Sequence, residues 1–333
     1  MSGDYVEFGS IATAQGPLDC QGTRLWAFWV EGDRDRISHL CDRVFEAPSK
    51  GAVKVRTISK WVLLSFGGIE SIRPGGPYAG RGHVYERQVA FWVPLLLSGP
   101  RGRMLAFFQP YMWLDNPLSV ATGREVYGYN KSWGWSTFPG ERPRGLCEGD
   151  PGDSFTVDVY GFTRHDPGTE GARERLLEVA PERNLDLMAG AEETAGEYVG
   201  ISQWVAEAAA GLDASELLEL GEGGEGDGDG ETGEDRALLG LHLPRRAVNQ
   251  VFLKQFRAVG AGDGTCLQQI TCAAAEPTRI EGIRRMPPHR IDVRSLDSHP
   301  LERELGVTSA SAVRMPVTFE MDFTVDEGRV LWP

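Results

Sequence analysis

Long apolar runs and an excess of basic charge are both missing from this chain of 333 residues. The run from Val89 to Leu97 is too short to span a bilayer and is broken by Pro94, so it reads as a buried strand and predicts no membrane partner. Met1-Ser2-Gly3-Asp4 lacks the basic flank and apolar segment of a secretion signal, which predicts a cytoplasmic protein. Lys and Arg total 34 against 48 Asp and Glu, a net charge of -14, and so large an acidic surplus excludes a nucleic-acid backbone as the main partner. A small anionic substrate stays compatible with it, because one local arginine outweighs distant charge.

Cysteine is sparse as well. The five thiols, Cys20, Cys41, Cys147, Cys266 and Cys272, are odd in number and scattered. Without CxxC spacing they read as reduced structural thiols and not as a zinc or redox site. No GxGxxG opens a helix, no GxxxxGK[ST] cradles a phosphate, and no GxSxG presents a nucleophilic serine. His83 and Glu86 have a spacing that suits metal ligands on a helix, but they lie in strand-like sequence without a second ligand pair. Neither a metal nor an organic cofactor is expected.

What is present is strand-forming sequence. With 41% hydrophobic and 25% charged residues the chain can bury a sizeable core. Arg24 to Val30, Val53 to Phe66, Val84 to Leu97 and Met104 to Leu114 combine aromatic and branched residues. Ser154 to Thr163, Val248 to Phe256 and Thr265 to Ala273 are strand-like too. In Val317 to Phe323 apolar and polar residues alternate, as a half-buried strand requires. Ile37, Leu40, Cys41 and Val44 recur at helical spacing, and Arg73 to Gly82 is punctuated by Gly and Pro as a surface loop. From Ala172 to Leu220 the abundance of Ala, Leu and Glu predicts two or three helices. Gly221 to Asp235, with no apolar side chain, reads as a mobile acidic loop. The expected fold is one α+β domain over 1–333, mainly antiparallel β, with a helical insertion at about 169–220 and the acidic loop at 221–235.

One stretch carries chemistry. Tyr85-Glu86 opens a hydrophobic strand. A second strand ends in Pro110-Tyr111-Met112-Trp113-Leu114-Asp115-Asn116, and Gly123-Arg124-Glu125-Val126-Tyr127-Gly128-Tyr129-Asn130-Lys131 follows. In this order of motifs the chain resembles the acetoacetate decarboxylase family. Fainter echoes lie in Arg24-Leu25-Trp26, Phe252-Leu253-Lys254 and His299-Pro300-Leu301. The resemblance covers most of the chain outside Thr169 to Arg236. It implies a cone-shaped β-barrel, a homo-oligomer, and a lyase that forms a Schiff base with a small keto acid and needs no cofactor.

By the same resemblance Lys131 is the imine-forming amine and Glu86 a proton-transfer or orienting group beside it. Arg24 is the carboxylate clamp, with Met112 and Phe91 as pocket residues. Glu125 is a further substrate-contact candidate, with a structural ion pair to Arg124 as its alternative. A lysine amine in water titrates near 10.4, so roughly one in two thousand is free base at pH 7. Making such an amine nucleophilic takes roughly 5 to 6 kcal/mol of differential interaction. Burial in an apolar pocket or an adjacent cation supplies it, and acetoacetate decarboxylase itself is the standard example. Here the family's proline before the lysine and second lysine after it are replaced by Asn130 and Ser132. Desolvation by Trp133, Trp135, Tyr129, Met112 and Phe91 is then what remains. The reaction implied is decarboxylation of a β-keto acid or an aldol or dehydration step on a related keto acid. The alternative is a non-catalytic binding or interaction protein on the same fold.

Overall fold

The computed structural model describes residues 5–6, 13–139, 154–182, 248–260 and 262–333. Among them thirteen strands are hydrogen-bonded into one continuous system. In chain order they are β1 (Leu18–Glu31), β2 (Lys54–Thr57), β3 (Trp61–Pro74), β4 (Val84–Gly99), β5 (Gly102–Leu114), β6 (Lys131–Thr137) and β7 (Phe155–Gly161). Then come β8 (Ala172–Pro181), β9 (Val248–Arg257), β10 (Thr265–Arg285), β11 (His289–Val293), β12 (Val313–Val325) and β13 (Arg329–Trp332). The helices are short: α1 (Arg34–Cys41), α2 (Ala47–Ser49), α3 (Pro117–Thr122) and α4 (Leu301–Leu305). No helix among the described residues is long and apolar enough to cross a membrane.

Seven strands close a ring in the order β5, β9, β10, β12, β1, β3, β4 and back to β5. Only the β5–β9 seam is parallel, with Phe107 opposite Gln250. The fold is thus a mixed, mainly antiparallel barrel, in keeping with the α+β expectation. A second, antiparallel sheet of β6, β7, β8 and β11 branches from β5, to which β6 pairs in parallel through Met112 and Lys131.

This architecture explains why Val89 to Leu97 is apolar on both faces of β4. Phe91, Val93, Leu95 and Leu97 point out of the barrel into the main core, together with Phe28, Phe66, Phe155, Val157 and α1. Ala90 and Trp92 belong to the inward face. Pro94, which has no N–H to give, sits where the neighbour of β4 changes from β3 to β2: β3 pairing ends at Trp92 and β2 pairing begins at Leu95.

The helical reading of Ala172 onward is corrected over 172–181, which is strand β8. Its helix-forming composition yields to pairing with β7 and β11. A register shift in the pairing with β7 leaves Leu176 as an extra residue, so that Leu176 and Leu177 are both buried and the two-residue period is hidden. Residues 183–220 of that expected insertion, the acidic loop and Cys147 lie outside the described residues. Cys20, Cys41 and Cys272 are buried free thiols, whereas Cys266 is exposed.

Candidate active site

The barrel encloses a cavity of about 330 Å³, lined among others by Cys20, Ile69, Glu86, Met112, Tyr127, Tyr129 and Lys131. That size falls in the roughly 300–1,000 Å³ typical of small-molecule sites.

Lys131 enters it by a short sequence of local devices. Asn116 caps α3 by accepting from the Leu118 and Ser119 amides, and Pro117 supplies the preset first turn. The helix then widens into a π-helical turn, Gly123–Tyr127, which ends at Gly128 in the left-handed region (φ 87°). Gly128 has to be glycine: an added Cβ would lie 2.5 Å from Cβ and 2.8 Å from Cα of Lys254. After this turn Lys131 opens β6 opposite Met112. Asn130 Nδ2 donates to the Pro110 carbonyl and Ser132 Oγ to the Met112 carbonyl at 3.1 Å, fastening β6 to β5 on either side of the lysine. Arg124 Nη1 donates to the Lys131 carbonyl at 3.0 Å. The lysine stem lies across Gly123, where an added Cβ would come within 2.4 Å of Lys131 Cδ.

Glu86 is held by a bracket around it. Asp115 accepts from the Arg87 amide at 2.9 Å and from the Tyr85 hydroxyl at 2.6 Å, while Asn116 Nδ2 donates to the Tyr85 carbonyl at 2.6 Å. The Asp-Asn turn of the motif therefore fixes β4 on both sides of the carboxylate. Lys131 Nζ stands 3.4 Å from Glu86 Oε2, with the lysine side chain 12% exposed and the glutamate 2%. The ammonium also lies 5.2 Å from the centre of the Tyr129 ring. Tyr129 packs on Phe252 with ring centres 4.0 Å apart. Burial holds the phenols of Tyr127 and Tyr129 well above their ordinary range. Burial, reinforced by the charge of Glu86, does the same for the Cys20 thiol. These three groups stay neutral beside Lys131 and Glu86.

The sequence candidates divide. Lys131, Glu86 and Met112 meet at the cavity. Arg24 does not: it points outward from β1, is 48% exposed, and pairs with Glu320 at 2.8 Å. Phe91 is buried in the main core against Trp113, on the far side of the barrel wall. Trp133 is 38% exposed, and Trp135 lies under the Arg173 guanidinium outside the cavity, so the apolar surroundings of the lysine come from Tyr129, Tyr127 and Met112. Glu125 is absent from the lining, and its expected partner Arg124 is engaged with the Lys131 carbonyl. One of the Glu125 oxygens is buried without a hydrogen bond, and its charge acts on Lys254, whose ammonium is nonetheless pushed below its ordinary range by burial. Arg81 was not foreseen: its side chain lines the mouth, stacked 4.2 Å from the Tyr78 ring. Its place in a Gly-Pro loop gave no periodic signal. Among the described residues no group of three or more His, Cys, Asp or Glu is placed to hold a metal ion.

No family model matches the chain, and no curated protein does. Solved structures match throughout its length. An acetoacetate decarboxylase from Legionella pneumophila subsp. pneumophila str. Philadelphia 1 is 13% identical, with a TM-score of 0.55 over 99% of this chain and 98% of its own. An acetoacetate decarboxylase-like enzyme from Sphingomonas wittichii RW1 is also 13% identical, with a TM-score of 0.52 over 95% and 92%. The enduracididine biosynthesis enzyme MppR, in complex with the condensation product of pyruvate and imidazole 4-carboxaldehyde, is 11% identical, with a TM-score of 0.50 over 97% and 92%. At such identities the likeness is one of fold, and the chain has the acetoacetate-decarboxylase-like fold.

Proposed function

We propose that this protein is a lyase-type enzyme that joins Lys131 to the carbonyl of a small keto acid as an imine. The observation that carries the reading is the mostly buried Lys131 amine held 3.4 Å from the buried Glu86 carboxylate in an aromatic-walled cavity. A lysine with no catalytic duty is ordinarily solvated at the surface. This one is aimed inward by a glycine that leaves room for its stem and a strand fastened on both sides of it.

Glu86 takes a proton from the ammonium, and the free amine attacks the carbonyl carbon. The carbonyl electron pair moves to oxygen, which takes a proton from the added nitrogen; Glu86 then hands its proton to the carbinolamine hydroxyl, which leaves as water and gives a protonated imine. With a β-keto acid, the bond to the carboxylate breaks, its electron pair moves to the iminium nitrogen, and carbon dioxide leaves an enamine. Glu86 passes a proton taken up from solvent to the enamine carbon, and water hydrolyses the imine to release the ketone and restore the lysine. With an α-keto acid, Glu86 removes a proton from the carbon beside the imine. The same enamine then adds to an aldehyde in an aldol step that water loss can follow. The guanidinium lining this cavity is Arg81, so we assign it, in place of Arg24, to the substrate carboxylate.

The test is solvent exchange. Pyruvate and acetoacetate in D2O are followed by proton NMR for loss of the hydrogens beside the carbonyl. Exchange abolished by Lys131→Arg and strongly slowed by Glu86→Gln is expected; exchange unaffected by either substitution would refute the reading. The competing reading, a binding protein without catalysis, is favoured by Ser132 standing where a second cation would help the amine. It predicts ligand binding with no exchange at all.

A further inference from the structure

The cavity runs deeper than the lysine. On β5, the register shift against β4 between Phe91 and Val93 sets two residues of β5, Gln109 and Pro110, against the single Trp92 of β4. The extra residue falls at Gln109-Pro110, where a proline is tolerated because a bulge leaves its missing N–H unneeded. The shift turns Gln109 to the same inward face as Met112. Gln109 lies three residues before Met112, the partner of Lys131, about 10 Å away along the strand at roughly 3.3 Å per residue.

Gln109 is fully buried and Gln250 is 4% exposed. Gln109 Nε2 donates to Gln250 Oε1 at 3.0 Å across the parallel seam. Gln109 Oε1 is buried without a hydrogen-bond partner in the protein, on a residue that lines the cavity. A single bond between two primary amides uses one N–H and one carbonyl. Whichever way the two amides are turned, one carbonyl and one NH2 are left over. Across the ring, on β1, Thr23 Oγ1 is also buried and unpartnered, at 1% residue exposure. The rest of this depth is walled by Leu63, Trp92, Phe107, Phe319 and Met321, and the Trp92 indole N–H is already engaged with Ser65 Oγ at 2.7 Å. Buried polar groups are ordinarily satisfied, so an amide pair left half-used in an apolar cavity points to a ligand.

We infer that the substrate bears, remote from its carbonyl, a neutral group with both a donor and an acceptor, a hydroxyl or carboxamide, which docks on the Gln109–Gln250 pair. This rests on the imine reading, for it places the reacting carbonyl at Lys131. An ionised carboxylate has no proton to give the free carbonyl, and a methyl group satisfies neither partner. A compact keto acid with nothing beyond its carboxylate would leave the pair unused. At about 30 Å³ per water-sized group, a cavity of about 330 Å³ holds roughly eleven such groups, which accommodates the longer molecule.

The test uses a series of 2-keto acids ending in methyl, hydroxyl or carboxamide at matched chain lengths. Half-saturation for borohydride-dependent adduct formation on Lys131 is measured for each. At the best length the hydroxyl or carboxamide member is expected to saturate at least about tenfold lower than its methyl counterpart. Gln109→Leu and Gln250→Met should each erase that preference while leaving trapping of pyruvate unchanged. Equal affinity across end groups in the wild type, or a preference that survives both substitutions, would overturn the subsite. Calorimetric binding of the series to Lys131→Ala reads the subsite without the amine. A failure to trap any member would count against the imine, while the calorimetric preference still decides the subsite.

Discussion

Replacing Gly123 by alanine separates the placement of the amine from the stability of the fold. The backbone at Gly123 is ordinary right-handed helix, φ -61° and ψ -42°, which alanine adopts without strain. Fewer unfolded conformations then favour the variant by about 0.5–1 kcal/mol. The obstacle is the lysine: the new Cβ would lie 2.4 Å from Lys131 Cδ and 2.9 Å from Cε. Carbon atoms in contact sit about 3.5–4.0 Å apart, so the stem must move by about 1 Å or more. The atoms in the way belong to the outer part of a flexible side chain and yield at little cost to the fold. A displacement of about 1 Å in a reacting group costs roughly 100-fold in rate, about 2.7 kcal/mol of barrier. Gly123→Ala should therefore melt within a few degrees of the wild type and exchange or trap keto acids roughly 100-fold more slowly. Wild-type rates in the variant would show that the stem is not seated on Gly123. A large fall in Tm would show that the backbone moves instead of the lysine.

Four other outcomes follow from the same geometry. Asp115→Asn weakens the bracket around Glu86; solvent exchange should fall while the binding of a keto acid, read by calorimetry, changes little, and equal losses in both would point to general damage. Arg24→Ala should leave activity unchanged and cost less than about 1 kcal/mol of stability, since the Arg24–Glu320 pair is half exposed on both sides. Arg81→Ala should raise KM more than it lowers kcat, and an unchanged KM would remove Arg81 from the site. Burial lowers His289 and His299 from an ordinary value of 6.5, so the unfolded chain binds more protons as pH falls below that point. The stability these two residues contribute is present above pH 6.5 and lost on acidification towards their lowered folded values. Tm should drop between pH 7 and 5, and less so in His289→Gln.

Much of the barrel was legible because each strand-forming segment presents apolar residues to one core or the other. The lysine was legible for a different reason, an ordered set of short motifs whose spacing is now explained: the Asp115-Asn116 turn holds Glu86, and the π-helical turn with Gly123 and Gly128 delivers Lys131. What escaped was the phase of each strand. Register shifts between Cys20 and Thr23, between Ile69 and Ile72, and at Gln109-Pro110 each change which side chains face the lumen, and a two-residue period read straight through them misplaces the lining. Arg24 is such a case, since beyond the β1 shift it shares the outward face with Trp26 and Phe28. Phe91 is a different case: β4 has no extra residue, and alternation from the inward Glu86 already turns Phe91 outward, so only the family resemblance placed it in the pocket. Pro110 was a visible mark of the β5 bulge, but its effect on Gln109 depends on pairing with β4, which is not local in sequence. Strand β8 was misread because Ala, Leu and Glu favour helices only where no sheet edge offers pairing.

The most direct measurement is peptide mass analysis of the protein reduced with borohydride in the presence of pyruvate, acetoacetate and longer keto acids. A mass increase equal to the reduced keto-acid adduct is expected on the peptide that contains Lys131, on no other lysine peptide, and on none in Lys131→Arg. An unmodified Lys131 across the whole panel, or an adduct that persists in Lys131→Arg, would contradict the assignment of this residue as the imine-forming amine.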